Sequence, residues 1–209
     1  MTIQKNCFFI TGTDTDVGKT IATSWCLLHY NGVYWKPIQS GLEPTTDTKT
    51  IQTLTQLDQN DIYPERYRLT QPLSPHESAR RDNVTISLDD FSLPQSSKPL
   101  FVEGAGGLMV PINDDHFVID LIKKLNIPVI LTARSLLGTI NHTLLSIEAL
   151  RARDIEIAGL IISGPKSPHN RHALEQYSGV PILAEIDQMD CPSREELLST
   201  KPEFHLLES

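Results

Sequence analysis

The run Gly12-Thr13-Asp14-Thr15-Asp16-Val17-Gly18-Lys19-Thr20 constrains this chain more than any other stretch. It follows the apolar run Cys7-Phe8-Phe9-Ile10 and precedes a helical pattern from Ile21 to His29. Strand, glycine loop and helix in that order turn backbone N–H groups towards one point, and the helix adds its positive dipole end. Lys19 brings a mobile charge to the outer phosphates of a nucleotide, and Thr20 puts a hydroxyl where Mg²⁺ sits. Five residues rather than four separate Gly12 from Gly18, so the loop is a longer variant of the common phosphate loop. A plain glycine turn before a helix accounts for Gly12 and Gly18 but not for Lys19-Thr20.

Around this loop, short apolar runs alternate with helical patterns. Strands are predicted at Cys7–Thr11, Val33–Lys36, Leu100–Glu103, Val129–Thr132, Ile157–Ile162 and Ile182–Ile186. Several are apolar almost throughout, as strands covered on both faces must be. Helices are predicted near Lys19–Tyr30, Asp47–Leu57, His116–Leu125, Thr139–Arg153 and Arg171–Ser178. The alternation predicts an α/β fold: one domain over residues 1–209, a doubly wound, mostly parallel sheet of the phosphate-loop NTPase type with helices on both faces. The Pro-rich stretch of residues 63–99 breaks the rhythm and reads as a loop-rich insertion with one short helix around His76–Asp82. The tail Lys201–Ser209 carries no clear pattern.

Composition excludes some classes. Acidic residues outnumber basic ones by 26 to 18, a net charge of −8, which disfavours nucleic acid and acidic membranes as partners. No apolar run reaches the ~18 residues that span a bilayer. Met1–Asn6 runs straight into the first strand without the form of a signal peptide, so a cytoplasmic location is expected. Cys7, Cys26 and Cys191 lack metal-type spacing, and the first two read as small core residues.

Ligands in such sheets bind beyond the carboxyl ends of the strands. The second strand leads into Lys36-Pro37-Ile38-Gln39-Ser40-Gly41. That stretch suits a second cation with a nearby hydroxyl, and equally a solvated Lys before a Pro/Gly turn. Asp47 precedes a helical pattern, where it can cap the helix or hold Mg²⁺, and spacing alone favours the cap. The third strand ends in Glu103-Gly104-Ala105-Gly106-Gly107. A carboxylate at that place beside a phosphate loop reads as a Mg²⁺ contact, and the glycines let backbone approach a ligand. Gly138 and Thr139 read as loop and N-cap of the long helix, with Asn141 and His142 on its surface. His169 and His172 have no suitable partner for a metal site and read as surface residues.

Taken together, Gly12–Thr20, Lys36–Gly41, Ser74-Pro75-His76, Val102–Gly107 and Gly138-Thr139-Ile140-Asn141-His142 resemble the dethiobiotin synthetase family, over about Phe8 to His172. The resemblance implies a cyclo-ligase of biotin biosynthesis. ATP and CO₂ (or bicarbonate) act on 7,8-diaminononanoate through a phosphorylated carbamate. It implies that backbone of Asp16, Val17, Gly18, Lys19 and Thr20 cradles the phosphates, with Lys19 and Lys36 catalytic. Thr20, Asp47 and Glu103 match the Mg²⁺ set, and Thr15, Ser40 and Gly106 lie against the diamine. It also implies a homodimer in which Asn141 of the second subunit completes the site. One departure is plain. Many members read adenine with an Asn after the strand ending at Ile162, and here stands Ser163, followed by Gly164. Its single hydroxyl leaves base discrimination either weaker or supplied by backbone near Glu185–Asp187. A regulatory phosphate-loop ATPase acting on a protein partner is the alternative. It needs neither Lys36 with Ser40 nor an inter-subunit Asn141. A corrin amidoligase would need a glutaminase domain for which 209 residues leave no room.

Overall fold

A computed structural model describes residues 6–204, 206 and 207, and the expectations for Met1–Lys5, His205, Glu208 and Ser209 lie outside the described residues. The chain runs β1 (Cys7–Gly12), α1 (Lys19–Tyr30), β2 (Val33–Trp35), β3 (Ile38–Ser40), α2 (Asp47–Thr55), β4 (Ile62–Tyr63), β5 (Tyr67–Leu69), α3 (Pro75–Arg81) and β6 (Leu100–Gly107). It continues through α4 (Val118–Leu125), β7 (Val129–Arg134), α5 (Thr139–Arg151), β8 (Ile157–Ser163), α6 (Pro168–Tyr177), β9 (Ile182–Ile186) and α7 (Arg194–Ser199).

Seven strands form one sheet in the order β4-β2-β6-β1-β7-β8-β9, and every pairing in it is parallel. This is the doubly wound sheet expected. The winding reverses at β1, which lies between β6 and β7, and the crevice at such a switch point is where this topology binds ligands. Residues of β1 alternate between two cores. Phe8 and Ile10 face Trp25 and Cys26 of α1, Ile51 of α2 and Leu197 of α7. Phe9 faces the side that carries Ile119 and Ile122 of α4, Ile147 of α5 and Leu174 of α6. Phe8 and Phe101 stack with centroids 5.7 Å apart. Each such buried ring contributes about 2 kcal/mol through the apolar area it removes from water.

Three features differ from the sequence reading. The loop-rich stretch of residues 63–99 also carries a short strand, β5, and adds to the core. Ile38 to Ser40 pairs with Tyr67 to Leu69 as a second small parallel sheet, and Leu69, Ala79, Ile86 and Phe91 are buried in the main core. The expected short helix is there as α3, with Pro75 in its first turn. Second, Thr46 is the N-cap of α2, its side chain accepting from Lys49 N–H, so Asp47 is the first helical residue rather than the cap. Gly138, not Thr139, caps α5. Third, the chain from Thr200 to Phe204 packs back on the domain. Trp25 Nε1 donates to Thr200 O at 2.6 Å, and Tyr30 Oη donates to Phe204 O at 3.3 Å. Arg171 holds Glu203 through contacts of 2.6 and 2.8 Å. The segment from α7 to Phe204 therefore lies along α1, the helix that carries the glycine loop. Among the described residues, no helix is long and apolar enough to cross a membrane.

Candidate active site

The strand ends β1, β2 and β6 open on a cleft of about 900 Å³, lined by the glycine loop, by Lys36 and Gln39–Gly41, by Asp47, and by Glu103, Ala105 and Gly106. The wall opposite the glycine loop comes from Pro72 to Pro75. Thr15, Asp16, Gly18, Lys19, Thr20, Lys36, Ser40, Asp47, Glu103 and Gly106 are thus brought together, from stretches spread over more than eighty residues. Val17 faces the other way, with its side chain 2% exposed in the core, so only its backbone is available to a phosphate. Gly18 adopts φ 90°, a left-handed conformation that favours glycine, and starts α1. Ser163 does not line the cleft. Its hydroxyl lies where a side chain at position 18 would go, so it packs against the glycine loop from the end of β8. Asn141 is also outside the cleft of its own chain, exposed in the first turn of α5.

The centre of the cleft is a cluster of opposite charges. Lys36 Nζ lies 2.9 Å from Asp47 Oδ2 and 3.1 Å from Glu103 Oε1, and it donates to Gly104 O at 3.2 Å. Lys36 is 4% exposed, which rules out a solvated Lys at this turn. Thr20 Oγ1 lies 2.9 Å from Asp47 Oδ1 and 3.0 Å from Glu103 Oε1. Tyr34 Oη donates to the other oxygen of Glu103 at 3.3 Å. Burial works against charge on Lys36, yet the carboxylates of Glu103 and Asp47 outweigh it and raise its pKa. Burial likewise pushes Asp47 up, and Lys36 outweighs that and holds its carboxyl below the ordinary range. Tyr34 is pushed well above its ordinary value by burial and then by Glu103, so it stays a neutral donor.

Lys19 curls back over the loop and donates to Asp14 O at 3.0 Å. Burial and the nearby charge of Lys36 lower its pKa, and Glu103 and Asp47 oppose them. Two lysines face the same cleft, only one of them paired with carboxylates. A polyanion bound there relieves the repulsion.

One hydroxyl and two carboxylates meeting at a point are hard oxygen donors of the type Mg²⁺ selects, with remaining positions left for water and phosphate. The residues fit that ion. Ser40 Oγ is buried without a partner on the cleft wall, a polar atom that a ligand can satisfy. Two residues of the site escaped the sequence reading. Tyr34 is the middle residue of β2, two before Lys36, which follows the strand's end. Gln39, buried in β3 and making three hydrogen bonds, sits in the stretch Lys36–Gly41 that the sequence singles out, but nothing there marked its own role. The cysteines fall as read: Cys7 and Cys26 are buried and free.

A family model described as an AAA domain matches residues 6–195. The ATP-dependent dethiobiotin synthetase BioD of Paramagnetospirillum magneticum is 47% identical over 181 residues, 87% of each chain. The protein of the same name in Brucella melitensis biotype 2 is 44% identical over 188 residues, 90% of this chain and 89% of that one. Among solved structures, a ParA family ATPase from Chlorobium tepidum superposes with a TM-score of 0.54 at 14% identity, covering 95% of this chain and 91% of its own, a likeness of fold alone. With identity of that order over nearly nine-tenths of both chains, the chain belongs to the ATP-dependent dethiobiotin synthetase family.

Proposed function

We propose that this protein carboxylates 7,8-diaminononanoate and closes the product to dethiobiotin at the expense of ATP. The observation that carries the reading is the pair Lys19 and Lys36 facing one cleft with Ser40, whose buried hydroxyl has no partner. A cleft built only to hold and hydrolyse a nucleotide needs one of those lysines and no such hydroxyl. The names of the relatives support the same chemistry.

The reaction starts from a carbamate formed by CO₂ on one amine of the substrate. A carbamate oxygen attacks the γ-phosphorus of ATP, the bond to the bridging oxygen breaks, and ADP leaves. The second amine then attacks the carbonyl carbon of the mixed anhydride, phosphate leaves, and the ureido ring closes with loss of a proton. Phosphoryl transfer of this kind needs positioning and charge neutralisation more than covalent work by the protein. Backbone N–H groups of Asp16–Thr20 hold the phosphates, and Lys19 reaches the γ-phosphate and the bridging oxygen. Lys36 sits at the other side of the same transfer, where its ammonium neutralises the carbamate. Thr15, Ser40 and Gly106 orient the diamine. Thr20, Asp47 and Glu103 would hold Mg²⁺, which when bound offsets charge on the phosphates. Lys36 is already the counter-ion of both carboxylates, one positive charge against two, and Lys19 on the same cleft supplies the second. Ser163 packs against Gly18 and leaves adenine to be read elsewhere, in keeping with a backbone contact near Glu185–Asp187.

The site is completed by a second copy of the chain. The start of α5 supports this: Leu137 is 95% exposed and Leu136 and Leu145 are more than half exposed, beside the exposed Asn141. An apolar patch with a polar residue at its edge suits a two-fold interface that delivers Asn141 to the partner's substrate. A cytoplasmic location belongs to the same reading.

The direct test supplies the diamine, bicarbonate and Mg-ATP and follows both phosphate and the ring-closed product by mass spectrometry. Phosphate release should require the diamine. Release that ignores it would turn the assignment towards a regulatory ATPase. Replacing Asn141 by Ala should raise the KM for the diamine about tenfold while leaving the affinity for ATP unchanged, as for a lost substrate contact. An unchanged KM removes Asn141 from the site.

A further inference from the structure

We propose that Gln39 is a positioning residue that locks the substrate side and the metal side of the cleft into one geometry. The inference rests on the function just proposed, and it concerns a side chain given no role there. Gln39 is 4% exposed. Its Nε2 donates to Ser40 O at 3.2 Å and to Gly41 O at 3.1 Å. Its Oε1 accepts from Asp47 N–H at 3.2 Å. Both ends of the amide are therefore used, and on different walls.

The Asp47 contact has a specific cause. The first N–H groups of a helix have no acceptor within it. Thr46 Oγ1 takes the N–H of Lys49, and Gln39 reaches across from β3 to take that of Asp47. The start of α2 is thus capped twice, once locally and once by a residue of the substrate wall. The Ser40–Gly41 contacts fix the backbone from which the unpartnered Ser40 hydroxyl projects, in a turn where Gly41 adopts φ 81° and donates to Leu69 O. One buried amide consequently closes residues 39–47 into a ring, with Ser40 on one arc and the Asp47 carboxylate on the other. Neither arc can shift without leaving half of the amide unsatisfied in a buried place. A side chain that only filled space here would need no polar atoms.

Two variants separate this role from a merely structural one. Gln39→Met keeps the shape and removes every hydrogen bond. Gln39→Glu keeps the acceptor for Asp47 N–H and loses both donors. For Gln39→Met, the diamine KM should rise about tenfold, the worth of one or two hydrogen bonds. The dissociation constant of Mg²⁺ should rise about tenfold too, read by calorimetric titration of the metal into the complex with a non-hydrolysable ATP analogue. Binding of the analogue without metal should stay as in the parent chain. For Gln39→Glu, the Mg²⁺ constant should return to within about twofold of the parent while the diamine KM stays raised. Unchanged constants in Gln39→Met, or two constants that move together in Gln39→Glu, overturn the proposal. If Gln39→Met does not fold, Gln39→Glu decides alone. Absence of diamine-dependent turnover in the parent chain would strike the proposed function instead, and the metal titration, which needs no diamine, would still judge Gln39.

Discussion

Replacing Lys19 by Gln is expected to lower turnover by ~10³-fold or more, the range seen when a cation aimed at the transferring phosphoryl group is removed. The fold should not suffer. In the free protein Lys19 makes one contact, to Asp14 O, and its charge is opposed by burial and by Lys36. Removing it takes away a repulsion, so the thermal midpoint without nucleotide should hold or rise slightly. Loss of activity together with unaltered stability is the trade expected of a group kept for the reaction and not for the fold. Steady-state phosphate release with and without the diamine, beside a melting curve, checks both halves. A variant that turns over at a parental rate refutes the role.

Glu103→Gln is expected to fail in the opposite manner, in both stability and turnover. Glu103 is 1% exposed and serves Lys36, Thr20 and Tyr34 at once. Neutralising it leaves the buried Lys36 with Asp47 as its remaining counter-ion. Breaking a buried pair on one side costs about 3 kcal/mol, which for a domain of this size lowers the melting midpoint by about 6–12 °C. Activity should fall by at least ~10²-fold, since a ligand of the proposed metal is lost with it. The double change Glu103→Gln with Lys36→Met removes the stranded charge as well. It should recover part of the midpoint and none of the turnover, because partners in contact are not additive. A double variant as unstable as the single one would show that Lys36 was not the strained group.

Much of this was legible before any coordinates. Long, strongly patterned elements were: α1 runs from Lys19 to Tyr30 as read, and β1, β7 and β8 differ from their apolar runs by one or two residues at the ends. The glycine loop and the carboxylate inside β6, just before its glycines, were visible because their residue types are rare in plain turns. What escaped has physical reasons. β3 and β5 are three residues each, too short for alternation to register, and they exist because they pair with each other across about thirty residues. Thr46 and Asp47 are both good caps, and the choice between them is made by a distant group: Lys36 draws the Asp47 carboxylate into the cleft and leaves the cap to Thr46. The two readings of Lys36 could be separated only by its burial, which depends on where α2 and β6 lie. Gln39 is the same case, since its three partners include one eight residues away on another element.

The contact of Trp25 with Thr200 joins residues 175 positions apart, and His29 with Leu197 joins residues 168 apart. The helix behind the glycine loop is made early and is backed by chain made much later. Long-range closures of this kind are slow, because the entropy of bringing distant segments together is spent before the contact rewards it. Until that closure, the part of α1 that the C-terminal segment covers, with the indole of Trp25, stands open to water. During synthesis, then, the glycine loop and its helix are made long before the chain that backs them.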